Sequence, residues 1–398
     1  MTSDDLKLEG VRYAQNNQPL EAKQCFERAL AINPHDASTF SNLGIVLGTL
    51  GEAGAAIAAF KQAIALQPDY KTAYLNLALT QHEQGQSAAA VDNFLSVIAF
   101  DSSSFQAYCM LSAAYFQLKH FSLALGAIDQ ALALRPTDTH ALHNKSSMLT
   151  MLGKQEQAIQ VLHHILEIEP AHPTARYHLA KFGHGATPSN APASYITDLF
   201  DGYAATFDDQ LVTKLQYQAP QEIAKIVSSL NFSGQVRALD LGCGTGLVAE
   251  QIAKPQMHWV GVDLSKKMID VAAQKRLYAE LYYCSIEDYL ASPHEPFDLI
   301  TAADVFIYVG ELSKVFQLAY LQLADNGWFV FSVEAAELCS EQSPLVLRSS
   351  GRFAHSEAYL RQLADKAGFT VKTIAPHILR FDGSTPIEGA VFALQKLR

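Results

Sequence analysis

The residues best placed to do chemistry are a glycine-rich turn and one carboxylate after it. The run VRALDLGCGTG, Val236 to Gly246, reads as a strand ending in a turn that opens a helix. Gly242, Gly244 and Gly246 have no Cβ, so the backbone there can approach a ligand closely. A second strand-like run, WVGVDLS, spans Trp259 to Ser265, and its Asp263 stands 17 residues after Gly246. A carboxylate at that point can accept both hydroxyls of a ribose. The spacing disfavours two common nucleotide ligands. A dinucleotide turn wants its third glycine at position 247, which is Leu247, and a P-loop needs Gly-Lys-Ser/Thr, which is absent. Neither NAD nor ATP is therefore expected.

Further candidates follow along the chain. Asp304 stands near the end of the run FDLITAADV and Tyr308 follows it, and Glu334 ends WFVFSVE. The stretch GRFAHSEAYL, Gly351 to Leu360, carries Arg352, His355 and Tyr359 in a loop and the start of a helix. Arg and His together could bind an acidic acceptor, with His355 as general base; the alternative is that His355 caps or packs at the helix start. No catalytic base is assigned, and Asp304, Tyr308 and His355 remain candidates.

The elements that must position these residues alternate. A strand is expected to end within Val236 to Gly246, with others at Trp259 to Ser265, near Leu281 to Cys284, at Phe297 to Val305 and Trp328 to Glu334, and near Phe369 to Ile374 and Ala390 to Leu394, with helices between them. Such alternation implies a parallel sheet with helices on both faces. Ligands of such sheets bind beyond the carboxyl ends of the strands.

The pair LDLGCGTG and Asp263 resembles the class I S-adenosylmethionine-dependent methyltransferases over roughly residues 195 to 398. That resemblance implies a Rossmann-like, seven-stranded, mostly parallel sheet and S-adenosylmethionine as cofactor. It implies that Gly242, Cys243 and Gly244 pass close to the methionine part, and that Asp240 helps hold its amino group. Asp263 would bind the ribose, and Leu264 and Met268 would face the adenine. Ser285 stands where an acidic residue is common, and with Ile286 it would still reach the adenine. Ala303 would lie beside the sulfonium, and Arg352, His355 and Tyr359 would meet the acceptor. The AADV run lacks the Asn/Asp-Pro-Pro-Tyr pattern of amino-nitrogen methylation. In LFDGYAATFDDQL, Leu199, Tyr203, Ala204, Phe207 and Leu211 recur at three- and four-residue steps, one stripe of a helix or helix pair. Many class I methyltransferases carry a similar segment that folds over the cofactor. The resemblance makes Tyr203 and Phe207 cofactor contacts, with Tyr217 as a further one; ordinary core packing is the alternative.

The first part of the chain follows another rule. Pro34, Pro68, Pro136 and Pro170 are spaced by 34 residues or twice that, with Ser102 on the missing beat. Ala22, Ala56, Ala90, Ala124 and Ala158 keep the same phase, and Phe26, Phe60, Phe94, Ile128 and Leu162 follow four residues later. Each unit reads as two amphipathic helices, the small residue permitting close contact and the proline ending the second helix. The pattern resembles the tetratricopeptide repeat, about five all-α units over residues 3 to 172, with a capping helix near Pro173 to Phe182. Asn42, Asn76, Met110, Asn144 and His178 occupy one repeat position, which in this family faces the groove. An Asn amide both donates and accepts, so Asn42, Asn76 and Asn144 are expected to hold an extended segment of a partner protein; a merely wet groove is the alternative.

The division expected is therefore a repeat array at 1–183, a Pro/Ser/Gly/Ala-rich linker at 184–193, and a methyltransferase domain at 194–398 with lid helices at its start. The net charge of −11 argues against a nucleic-acid partner. Five cysteines (Cys25, Cys109, Cys243, Cys284 and Cys339) without C-x-x-C spacing read as free thiols with no zinc site. The polar first residues and the lack of a long apolar run lead to the expectation of a cytoplasmic protein with no membrane span. Three functions fit: a methyltransferase whose repeats recruit a protein acceptor or partner, a small-molecule methyltransferase whose repeats serve oligomerisation, and a scaffold with a vestigial cofactor fold.

Overall fold

A computed structural model describes residues 1–204, 207–209, 216–232, 234–252, 254–336 and 344–398, with the backbone alone at Tyr203 and Asp209. Cys339 and much of the segment around Leu211 lie outside the described residues. The chain divides into two compact units, Met1–His172 and Pro173–Arg398.

The first unit consists of helix pairs in which the repeat arithmetic becomes packing. Its second, third and fifth pairs begin with Ala37–Thr49, Lys71–Glu83 and Thr139–Met151. Side-chain caps set the first and last of these starts. After Pro34, the Asp36 carboxylate accepts from the Ser38 and Thr39 amides at 3.0 and 3.3 Å, capping the helix. The small residues leave room for the large ones. A Cβ on Gly44 would stand 2.6 Å from the Phe60 ring, so only a bare backbone fits beneath that phenyl. Phe26, Phe60 and Phe94 are all fully buried. Truncating one of them to Ala would cost about 3–5 kcal/mol. Asn42 and Asn76 are half-buried and Asn144 is exposed. None of these three amides forms a hydrogen bond among the described residues. Met110 and Asn144 border a concavity of about 800 Å³ together with Arg135, Asp138 and His140.

The second unit opens with the helix Pro173–Lys181, the element expected to cap the repeats. Its Tyr177 explains its place there. That ring is fully buried against Tyr195 and Phe353, and its hydroxyl donates to the Gly351 carbonyl. The boundary between the compact units thus falls before the expected linker and not within it.

The sheet of this unit comprises β1 (Val236–Leu241), β2 (Met257–Asp263), β3 (Tyr278–Tyr283), β4 (Phe297–Ala302), β5 (Leu323–Ala335), β6 (Leu345–Leu347), β7 (Phe353–His355), β8 (Phe369–Asp382) and β9 (Thr385–Lys396). The order β3-β2-β1-β4-β5 is parallel throughout. β9 then pairs antiparallel with β5, and β8 with β9. These seven strands answer to the expected seven-stranded, mostly parallel sheet. The count differs by two: a short hairpin, β6 and β7, adds to the end of β5. The central strands are buried on both faces and lie between two apolar layers, one around Phe306, Phe316, Phe329 and Phe331, the other around Ile223, Val248 and Trp259. β1, β2 and β4 therefore all end, at Leu241, Asp263 and Ala302, along one edge of the sheet.

Candidate functional site

A cavity of about 630 Å³ opens along that edge, within the second unit. Its size lies in the usual range for a small-molecule site. The floor is the glycine turn. Gly242 and Gly244 both take the left-handed conformation, φ +61° and +52°, which L residues with a Cβ rarely adopt. A Cβ on Gly242 would also meet Val305 Cγ2 at 2.5 Å.

Asp263 closes one side of the turn. Its Oδ2 accepts from the Gly244 amide and its Oδ1 from the Ser265 amide, both at 2.8 Å. Burial raises the Asp263 carboxyl above the ordinary range, while these amide donors pull it down. Each oxygen keeps further acceptor capacity, and Asp263 lines the cavity. Beyond it lie Leu264 and the buried Met268, then Ser285 and Ile286 after β3. Ser285 caps the helix Ile286–Ala291, accepting from the Asp288 amide at 3.0 Å, and donates to the Asp288 carboxylate at 2.6 Å. Glu287 and Asp288 thereby supply carboxylates to the wall where Ser285 itself has none.

Most of the residues singled out in the sequence meet on this cavity. Phe207, Tyr217, Gly242, Cys243, Gly244, Asp263, Leu264, Met268, Ser285, Ile286, Ala303, Asp304, Tyr308 and Arg352 all line it. Asp240 does not. Its side chain is 1% exposed and points into the sheet, accepting from Tyr278 Oη at 2.7 Å and Thr301 Oγ1 at 2.9 Å. Burial pushes its carboxyl up to about 7. His355 and Tyr359 also lie elsewhere. His355 is buried in β7 with its Nε2 3.0 Å from the Gly310 carbonyl, and burial pushes its pKa down to about 4. The Tyr359 hydroxyl donates to Glu311 at 2.8 Å and accepts from the Leu312 amide. These two are stacked on each other and do not line the cavity. The Tyr203 side chain lies outside the described residues.

The segment before β1 covers the turn by defined bonds. Ser265 Oγ donates to Asp201, and Thr245 Oγ1 to Asp208. Lys275 bridges Asp208 and Glu250, each at 2.8 Å. Phe200 meets Phe207 and Tyr308 edge-on, at 5.9 and 5.5 Å between centroids.

Sequence reasoning misses Arg380. This 2%-exposed residue of β8 pairs with Asp304 and with Glu334, and lines the cavity. Arg348 holds the other Glu334 oxygen at 3.2 Å. The available signal is a lone cation inside the apolar run HILRF. Asp304 has φ +54°, fixed by its amide donating to Ser332 Oγ at 2.8 Å. The described residues contain no group of three or more potential metal ligands. They contain no helix long and apolar enough to cross a membrane. Cys25, Cys109, Cys243 and Cys284 are free thiols.

Comparison with known proteins finds two kinds of family model in the chain. A family model described as a methyltransferase domain matches residues 232–374. Tetratricopeptide repeat models match residues 10–36, 49–85 and 105–138. The chain is similar to a malonyl-[acyl-carrier protein] O-methyltransferase of Bacillus anthracis, 27% identical over 141 residues, or 35% of this chain and 52% of that protein. It is also similar to a ubiquinone biosynthesis O-methyltransferase of Bradyrhizobium diazoefficiens, 32% identical over 117 residues, or 29% of this chain and 46% of that protein. The chain spans about half the length of these relatives. Among solved structures, MamA from Desulfovibrio magneticus RS-1 aligns with 43% of this chain and 96% of its own, at 19% identity and a TM-score of 0.41. Repeat phase and sheet order agree with these matches: the chain carries tetratricopeptide repeats and a methyltransferase domain.

Proposed function

We propose that the second unit transfers a methyl group from S-adenosylmethionine to an oxygen atom of its acceptor, and that the repeats recruit a protein or peptide partner. The observation that carries the cofactor reading is the Asp263 carboxylate bonded to the Gly244 amide on the wall of a cavity of about 630 Å³. The glycine turn leaves room for a ligand approached by bare backbone, as a ribose-bearing cofactor would be. A side chain at Gly242 would strike Val305, and one at Gly244 would stand where only Phe207 is near, at 3.8 Å.

In this reading Asp263 accepts the two ribose hydroxyls, and Leu264 and Met268 flank the adenine. Ser285, Ile286 and Asp288 meet its polar edge. Gly242, Cys243, Gly244 and Ala303 border the methionine part. Bound S-adenosylmethionine supplies a methyl group made electrophilic by its sulfonium. Phe200, Phe207 and Tyr217 exclude water from that centre, and the paired Asp304–Arg380 fixes the wall beside it. Alignment of the reactants then provides much of the rate enhancement of an in-line displacement. Asp240 stands behind the turn as its support. Transfer to oxygen is supported by the two relatives named as O-methyltransferases. A protein partner is supported by the half-buried or exposed amides of Asn42, Asn76 and Asn144, and a cytoplasmic location goes with this reading.

The test is transfer of labelled methyl from S-adenosylmethionine into a cell lysate separated into protein and small-molecule fractions. Label in either fraction above that given by Asp263→Ala is the expected result. Equal, background-level label with both proteins would defeat the assignment.

A further inference from the structure

We propose that the acceptor is a carboxylic acid, held through its carboxylate by Arg352 and methylated on a carboxylate oxygen to give a methyl ester. The inference rests on the cofactor reading above and names the acceptor class for the same cavity.

Its first support is a charge imbalance. The carboxylates near the β4 and β5 ends of the cavity are satisfied within the protein: Asp304 by Arg380, Glu334 by Arg380 and Arg348. Arg352 also lines the cavity, half-buried, yet among the described residues no carboxylate lies within ion-pair range of it. Its guanidinium stands beside the Tyr308 hydroxyl. The sheet order separates this charge from the cofactor side. Asp263 and Ser285 follow β2 and β3, while Arg352 directly precedes β7, on the far side of β1 and β4. A planar guanidinium binds a carboxylate with two parallel hydrogen bonds, or holds one oxygen and leaves the other free.

The second support is the lack of a free base on the same wall. Alcohol and phenol acceptors must lose a proton as the methyl arrives. Asp304 accepts from Ser332 on one oxygen and is ion-paired with Arg380 through the other, so the cation holds its charge. The hydroxyls of Tyr217 and Tyr308 are held above the ordinary range by burial. His355 turns away to Gly310. A carboxylate at neutral pH is already the nucleophile and needs no base.

The step balances without a proton. One carboxylate oxygen forms a bond to the methyl carbon, the carbon–sulfur bond breaks, and its electron pair stays on sulfur as a thioether. Cationic sulfonium and anionic carboxylate become two neutral products. Charge cancels along the reaction, so a cavity walled by Phe200, Phe207 and Tyr217 favours the transition state over the separated ions.

The experiment labels the lysate acceptor with tritiated methyl and treats the product with mild alkali. Methyl esters release volatile methanol, whereas ethers, thioethers and methylamines keep the label. Arg352→Gln and Arg352→Lys are compared with wild type, and cofactor affinity is measured calorimetrically for all three. Expected are alkali-labile label, a loss of about 30-fold or more with Arg352→Gln, partial retention with Arg352→Lys, and the same cofactor affinity throughout. Intact cofactor binding with label that is alkali-stable, or with no alkali-labile label at all, overturns the carboxylate proposal and leaves the cofactor reading standing. A wild type that does not bind the cofactor overturns both.

Discussion

Thr245, the fourth residue of the glycine turn, donates its hydroxyl to Asp208 at 2.5 Å, tying the segment before β1 to the floor of the cavity. Asp208 also holds Lys275 at 2.8 Å. Asp208→Ala removes both bonds without touching the apolar contacts of Phe200 and Phe207. The expected outcome is a 3- to 10-fold weaker S-adenosylmethionine affinity, about 1 kcal/mol, with little change in unfolding midpoint. Calorimetry beside thermal unfolding checks it; unchanged affinity in the folded variant would make the segment a passive cover.

Arg380 neutralises two carboxylates at once. Arg380→Ala leaves Asp304 and Glu334 without that partner in a buried setting, a loss of about 3–5 kcal/mol. Urea unfolding of wild type and variant measures it, and a loss below about 1 kcal/mol would show that the cluster is loosely hydrated.

His355 provides a pH test that separates packing from catalysis. Its pKa falls to about 4 in the folded chain, against 6.5 when exposed. Folded protein therefore binds fewer protons than unfolded protein between those values. The stability from neutral His355 is present above pH 6.5 and is lost as pH falls toward 4, by about 3 kcal/mol. His355→Gln should flatten this part of the stability curve while leaving the pH profile of turnover unmoved. Loss of a kinetic limb near neutral pH in the variant would restore His355 as a base.

Asp240 runs in the opposite direction. Its folded pKa is raised to about 7 from 3.8, so the folded chain keeps a proton that the unfolded chain releases. The contribution is complete below pH 3.8 and declines as pH rises toward 7, by about 4 kcal/mol. Asp240→Asn should gain relative to wild type between pH 4.5 and 7.5 in denaturant unfolding. A constant difference across that range would contradict a protonated Asp240.

The groove reading has its own test. Replacing Asn42, Asn76 and Asn144 together by Ala should abolish capture of a protein partner while methyl transfer to a small acceptor continues. Partner capture at wild-type levels would reduce these amides to wet surface.

What the sequence makes legible follows from how often a constraint recurs. Gly44 under Phe60 repeats a constraint that Gly10 under Phe26 also obeys, so phase alone exposes the repeat. The glycine turn is legible because a left-handed backbone and a close approach both select Gly. Asp240 is harder to place. β1 is buried on both faces, so strand alternation does not say which way its carboxylate points. The three-residue strands β6 and β7 are too short to show a period, which hides His355 in the sheet. The role of Arg380 depends on Asp304 and Glu334, which approach it only once β9 joins β8 to β5.

The most direct measurement is calorimetric titration of S-adenosylmethionine into the wild-type chain and into Asp263→Ala. Saturable one-to-one binding by the wild type, weakened at least tenfold in the folded variant, about 1.4 kcal/mol or more, is the expected result. No binding by the wild type, or equal binding by both, would contradict the assignment of Asp263 and the glycine turn to this cofactor.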